Sequence, residues 1–334
     1  MELEQTGGSA IPAIELRRPD GLEAIGNIDL IAELARRVED AGLTRREIRL
    51  LELFHRRLGI ALDTDKNRFS REFLSRRLDT YYGFHRAIKD NLAGETVLEL
   101  GAGPENPLGT VFAMVLLGAA RGIALEPSHL QSEARQASAL LDTVHWLSVL
   151  PESFPRIAPV DRAEILRRAA QFPLRDYAHG RLTADPRLQL IQGVAEDVPV
   201  ATGSVDRTMS VAFLEHVEDA DACLAEMARV TRPGGGGVHL VDMADHGFYT
   251  KAVPSPITFL LERPDAAMVR HSNRLRGHEW DAAFERHGFE ILSKNTFQRH
   301  AWTADELRSR VARFAEMTTE QLEPLGTTYV IRRR

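Results

Sequence analysis

The stretch TVLELGAGPENPLG at residues 96–109 limits what this chain can fold into more than any other. Thr96, Val97, Leu98 and Leu100 make a short apolar run suited to a buried strand. Gly101 and Gly103 let the backbone turn tightly, and Pro107 stands in or beside the first turn of the apolar helix expected over 108–120. Strand, glycine turn and helix N-terminus in that order build a nucleotide-binding corner. Glu99 is the odd residue in it. A carboxylate at the end of a buried strand needs a partner, and a cationic ligand group would supply one.

From residue 94 onward, strands and helices alternate. Strands are expected at 96–100, 122–125, 188–192, 205–211, 238–242, 289–293 and 327–331. This alternation predicts an α/β fold with a doubly wound, Rossmann-like sheet whose ligand lies at the carboxyl ends of the strands. Pro233–Gly237 reads as the turn before the fifth strand. About sixty residues separate Glu126 from the third strand, far more than one crossover helix needs. The segment from about 140 to 185 is therefore expected as a helical insertion over the active face, after a crossover helix at 128–139. Residues 1–93 read as a helical N-terminal extension or lid, and 94–334 as the sheet domain. In the extension, Ile28, Ile31, Leu34 and Val38 recur at helical spacing, and Thr44 with Glu47 forms a capping-box pattern. A third helix at 70–91 carries Phe73, Leu74, Tyr81 and Phe84 on or near one face.

Composition narrows the function classes. The net charge is -6, so the abundance of arginine is not a nucleic-acid signal. The longest apolar run, Val111–Ala120, is too short to span a bilayer, and no N-terminal stretch reads as a signal peptide. Cys223 is the only cysteine, which excludes a disulfide framework and suits a reducing cytoplasm. No metal-ligand spacing stands out among the histidines.

The glycine pattern alone does not choose the nucleotide. A dinucleotide fingerprint needs glycine at 106 or 105, where this chain has Asn106 and Glu105. Glu126, closing the second strand, suits the ribose of NAD and of other adenosine ligands equally. The later segments decide. VLELGAGP at 97–104, ALEP at 124–127, QGVAEDVPVATGSVD at 192–206 and SVAFLEHVEDADACLAEMARVTRPGGGGVHLVD at 210–242 stand in one order. Together they resemble the class I S-adenosylmethionine-dependent methyltransferases, in particular those acting on small molecules. The resemblance covers roughly 95–331 and leaves out the N-terminal helices. It implies a seven-stranded sheet whose last strand runs antiparallel.

It also implies site roles. Gly101, Ala102 and Gly103 would pass close to the cofactor, and Glu99 would sit near its methionine amino end. Glu126, followed by Pro127, would hold the ribose. Ala195 and Glu196 would flank the adenine, with Val194 standing where the family often has an acid. Val211 and Ala212 would border the ligand. The implied cofactor is S-adenosylmethionine, with S-adenosylhomocysteine as product.

Methyl transfer from a sulfonium needs a base chiefly when the acceptor is an alcohol. His246, after the fifth strand, is the first candidate, with His216 after the fourth strand as the second and Asp245 as the group orienting His246. Asp242 reads as a cap. Arg274 and Arg276 are candidate contacts for an acidic or polyhydroxyl substrate, and Tyr82 for a lid. The reading is O-methylation of a small or sugar-like acceptor, with N-methylation or an NAD-dependent oxidoreductase of similar fold as alternatives. No nucleic acid or membrane partner is expected. A homodimer through the N-terminal helices is a further possibility, since those helices could pack on their own sheet or on a second subunit.

Overall fold

The computed structural model describes residues 71–128, 130, 132–157, 161–261 and 272–334. The helices expected at 27–41 and after Thr44 lie outside the described residues. The element order is α1 (Arg71–Phe84), β1 (Thr96–Leu100), α2 (Gly109–Leu116), β2 (Arg121–Glu126), α3 (Glu133–Val149), α4 (Arg162–Ala169), α5 (Leu174–Ala178) and β3 (Leu188–Gln192). There follow β4 (Val205–Val211), α6 (Ala220–Val230), β5 (Thr231–Asp242), α7 (Thr258–Leu261), α8 (Gly277–Arg286), β6 (Phe289–Arg299), α9 (Ala304–Ser309), α10 (Thr319–Leu322) and β7 (Pro324–Arg333).

The seven strands form one sheet in the order β3-β2-β1-β4-β5-β7-β6. β1 to β5 pair in parallel, while β7 runs antiparallel to both β5 and β6. This is the seven-stranded, Rossmann-like arrangement expected from the sequence. The strand order reverses between β1 and β4, so a crevice opens at their carboxyl ends.

β1 shows how a short sequence fixes both layers. Side chains alternate across a strand. Val97 joins the core under α1, α2 and α3, whereas Leu98 and Leu100 join the core under α6 and α8. Glu99 shares the face of Val97 and so points toward α1. All eight residues of α2 are buried, as suits a helix that is apolar except at Thr110. On α1, Leu74, Leu78 and Tyr81 are buried at helical spacing, and Arg77 is buried on the same stripe. Phe73, expected on that face, is 37% exposed.

Two expectations need correction. The run at 233–237 is not a turn before β5; it lies within the strand. Pairing passes from Val205–Thr231 to Arg207–Gly236, so β5 bulges there by several residues, and Gly234 takes φ +73° inside the bulge. A Cβ on Gly235 would stand 2.8 Å from two carbonyl oxygens, which explains glycine where a turn was read. Most of the insertion also does not lie over the strand ends, although Ser153 and Arg156 line a cavity beside α1. α3 runs on to Val149, and α4 and α5 then pack along the flank made by α2 and α3, with Phe172 edge-on to Phe112. Among the described residues no helix is long and apolar enough to cross a membrane.

β5 carries one buried titratable group with no outlet to water. His239 sits between the hydroxyls of Thr208 (3.1 Å) and Ser210 (2.9 Å), and burial pulls its pKa down to about 3. Unfolding returns it to water, where imidazole titrates near 6.5. The unfolded chain therefore binds the extra proton below pH 6.5, and stability falls as pH drops toward 3. This residue alone should contribute a slope approaching ~1.4 kcal/mol per pH unit. Urea titrations between pH 4.5 and 7 should show a flatter acid limb for His239→Gln than for the parent; equal slopes would contradict the assignment.

Candidate active site

The glycine turn after β1 is held from three sides. Gly101 and Gly103 adopt φ +67° and +85°, a region that side chains with a Cβ rarely enter. The amides of Gly101 and Ala102 both donate to the Leu125 carbonyl at 3.0 Å. A Cβ on Gly101 would fall 2.8 Å from the Cβ of Phe213, so the ring of Phe213 packs directly on bare backbone. Glu126 is buried and accepts from the amides of Gly103 (2.6 Å) and Ser128 (2.8 Å). Each carboxylate oxygen keeps acceptor capacity beyond those bonds.

Beneath the turn, Arg77 of α1 forms a buried ion pair with Glu99 and donates to the Gly101 carbonyl at 3.2 and 3.3 Å. Its guanidinium also lies 4.5 Å from the ring centre of Phe73. Burial pushes the Glu99 carboxyl pKa up, opposed by Arg77 and by a hydrogen bond from Thr110, with Glu126 adding repulsion. The partner that Glu99 requires is thus supplied by the chain itself. Oε2 of Glu99 and both polar atoms of the buried Asn106 amide still lack hydrogen-bond partners. Unsatisfied acceptors and donors under a turn of exposed backbone fit a polar ligand carrying an amino group.

Around this crevice stand Ala195, buried, and Glu196, half-buried, after β3, together with Val211 and Ala212 at the end of β4. Ala212 takes φ +50°, a strained conformation for alanine, and its amide bonds to the Leu240 carbonyl at 3.0 Å. Pro127 is exposed beside Glu126.

A second cluster begins two residues past Phe213. The short 3-10 turn Leu214–His216 and the turn His246–Phe248 after β5 bring His216 and His246 together, with ring centres 4.7 Å apart. Glu215 lies between them, and its Oε1 is 3.9 Å from His216 Nε2 and 3.8 Å from His246 Nε2. Glu215 is 1% exposed, and neither oxygen reaches a partner with hydrogen-bond geometry. Burial drives its pKa well up, and the Asp242 carboxylate adds to the shift, partly offset by nearby backbone amides. Asp242 places Oδ2 at 3.4 Å from His246 Nε2 and accepts from the Tyr249 hydroxyl at 2.9 Å. Burial, then the Asp242 charge, raises the Tyr249 pKa.

Asp245 is buried and caps the turn that carries His246 by accepting from the Gly247 amide at 2.9 Å. Asp242, read as a cap, does bond the Ala244 amide, yet also faces the imidazole.

Three expected substrate contacts are structural. Arg276 is fully buried and donates to the carbonyls of Met243 (2.7 Å), Leu322 (3.0 Å) and Pro324; burial lowers its pKa to about 10. Arg274, at φ +58°, donates to the Phe259 carbonyl at 3.1 Å. Arg276 therefore staples the carboxyl end of β5 to the junction of α10 and β7, while Arg274 holds α7. Between them and the site, Asn273 bonds the carbonyls of Leu214 (2.9 Å) and Val217 (3.3 Å), fixing the turn that carries Glu215 and His216. Tyr82 packs against Tyr81 and His85 and lines a cavity of about 230 Å³ with insertion residues, apart from His246. A larger cavity of about 630 Å³ opens between α1 and the β5–β7–β6 edge, lined by Arg76, Asp79, Leu240, Asn295, Phe297 and Thr328. Leu240 and Asp242 share a strand face, but neither Asp242 nor either histidine lines this cavity.

Residues 143–238 match a family model described as a methyltransferase domain. A probable S-adenosylmethionine-dependent methyltransferase from Mycolicibacterium smegmatis is 28% identical over 131 residues, 39% of this chain and 41% of that protein. The chain spans less than half the length of that curated relative. Among solved structures it is similar to an S-adenosylmethionine-dependent methyltransferase from Mesorhizobium loti, with 16% identity, a TM-score of 0.40, and coverage of 77% of this chain and 100% of that one. It is also similar to the YcgJ protein of a Bacillus, with 16% identity, a TM-score of 0.38, and coverage of 76% and 97%. Both the family model and the curated relative are described as methyltransferases, and neither as an oxidoreductase.

Arg276 separates a structural from a binding role. Arg276→Met strands three buried carbonyls and should cost on the order of 2–4 kcal/mol of unfolding free energy in urea. Unchanged stability would return Arg276 to the substrate contacts.

Proposed function

We propose that this methyltransferase transfers a methyl group to an oxygen of a small-molecule or sugar-like acceptor seated at the carboxyl ends of β4 and β5. The observation that carries this reading is the His216–His246 pair, set around the buried Glu215 one short turn from the ring that packs on Gly101. An alcohol must lose its proton during transfer, so an alcohol acceptor needs titratable groups beside it, and a neutral amine does not.

The bound cofactor supplies an electrophilic methyl group on a sulfonium centre. The chain's part is to align it for in-line displacement, and such alignment is worth ~7–11 kcal/mol of barrier. Glu99 and Arg77 present opposite charges at one point under the glycine turn. That pairing suits an α-amino acid end, with the ammonium toward Glu99 and the carboxylate toward Arg77. Glu126 has the acceptor capacity to take two ribose hydroxyls. Ala195 and Glu196 border the adenine side, and Val211 and Ala212 lie between cofactor and acceptor.

On the acceptor side, removal of the hydroxyl proton depends on His246. Its Nε2 is buried and without a hydrogen bond, between the carboxylates of Glu215 and Asp242. The cavity of about 630 Å³ has the size of a small-molecule site. It fits a discrete acceptor, and the mix of polar and apolar lining suits a hydroxylated one.

Calorimetry should give one S-adenosylhomocysteine site per chain and no NAD binding. With a labelled methyl donor, hydroxylated acceptors should be turned over in preference to amines. His246→Ala should then lower kcat by about 10²- to 10⁴-fold with S-adenosylhomocysteine affinity unchanged. Turnover of amines alone, or full kcat in that variant, would overturn the oxygen assignment.

A further inference from the structure

The Glu215–His216–His246 cluster has a chemistry that proton transfer alone does not account for. Two carboxylates, Glu215 and Asp242, face one imidazole nitrogen, with side-chain exposures of 2% and 17%. Among the described residues no lysine or arginine forms a salt bridge with either. Buried carboxylates are ordinarily paired or bound to metal. Among the described residues only the two imidazoles face these carboxylates, and their nitrogens are ligand atoms for a cation.

We propose that Glu215, His216 and His246 bind a divalent first-row transition cation, with Asp242 and Tyr249 beside it. One ligand atom from each of the three residues lies within 4.8 Å of the others, and both imidazole nitrogens lie 3.8–3.9 Å from the same Glu215 oxygen. Ligands about 2.0–2.2 Å from a tetrahedral ion are ~3.4 Å apart, so closure requires shifts of roughly half an ångström at the Glu215 contacts and up to about 1.4 Å at the widest pair. Two imidazoles and one carboxylate select Zn²⁺, Co²⁺ or Fe²⁺ over Mg²⁺ or Ca²⁺, which prefer all-oxygen ligation. Glu215 is unpartnered and aimed into the cluster, the arrangement a ligand set shows before its ion arrives.

The supporting shell is fixed as metal sites require. Asn273 bonds the carbonyls on either side of Glu215 and His216, and its own amide donates to the Glu215 carbonyl at 2.8 Å. Asp245 caps the turn bearing His246. The side chain of His216 is 33% exposed, so the fourth position faces solvent and an incoming acceptor. Three protein ligands with one open position is the pattern of a reactive site. The substrate class follows: an acceptor whose hydroxyl, alone or with a neighbouring oxygen, can ligate the cation. This inference rests on the acceptor placement proposed above and states the means by which His246 matters, as ligand.

The test uses the full chain after dialysis against EDTA, with Co²⁺ and Zn²⁺ as probes and Mg²⁺ as control. One equivalent of Co²⁺ should bind and give the visible bands of a tetrahedral or five-coordinate ion, and Zn²⁺ should displace it. Glu215→Gln, His216→Ala and His246→Ala should each weaken Co²⁺ at least tenfold while retaining the parent circular dichroism and S-adenosylhomocysteine affinity. Absence of Co²⁺ and Zn²⁺ binding at millimolar metal, or binding that survives the His216→Ala/His246→Ala double substitution, overturns the site. Separate calorimetry with S-adenosylhomocysteine keeps the two readings distinct. Metal uptake without nucleoside binding would sink the methyl-transfer reading alone, and nucleoside binding without metal uptake would sink the metal site alone.

Discussion

The ion pair between Arg77 and Glu99 is the constraint on which the cofactor end of the molecule is built. Both groups are almost wholly shielded from water, so removing one strands the other at a cost of several kcal/mol. A hydrophobic pair of the same volume would hold α1 to β1 about as well. In the proposed reading the charges are a binding device kept in register by the fold. Period-two alternation turns Glu99 toward α1, the helical stripe of α1 turns Arg77 toward β1, and the Gly101 carbonyl completes the guanidinium's contacts. The helix before the sheet and the turn inside it thereby form one unit.

From that point the carboxyl edge divides into two halves. Toward β2 and β3 it offers Glu126 and the backbone amides around it. Toward β4 and β5 it offers two imidazoles and two carboxylates. Phe213 joins the halves, since its ring rests on Gly101 and its carbonyl takes the His216 amide at 2.8 Å. The reversal of strand order between β1 and β4 makes room for a ligand to lie across both. Strain at Ala212 sits at this junction, where a residue in an unfavourable conformation is held by pairing on β5.

Much of this was legible in the sequence, for identifiable reasons. β1, β3 and β4 match their expected bounds because β1 is an apolar run and the other two carry apolar residues at alternate positions, Leu188 and Leu190 in β3 and Val205, Met209 and Val211 in β4. Glu99, Gly101, Gly103 and Glu126 could be picked out because they lie within one local corner. The errors arise where local signals have nonlocal uses. Four consecutive glycines signal a turn, but here they let β5 bulge under a neighbouring backbone. Arg274 and Arg276 look like surface cations, yet their partners are main-chain carbonyls in segments up to 48 residues away. Glu215 carries no local signal, because a glutamate beside a histidine and two further acids reads as solvated surface. Only the fold shows that its side chain turns inward. Arg77 carries a weak signal that could have been used, a charge on the apolar stripe Leu74–Leu78–Tyr81.

The account turns on where the amino-acid end of the nucleoside lies, and a crystal structure with S-adenosylhomocysteine reads that position directly. The account predicts the ammonium against Glu99, the carboxylate against Arg77 and the ribose hydroxyls on Glu126. A ligand bound elsewhere, or bound here with the Arg77–Glu99 pair untouched by it, would contradict the assignment.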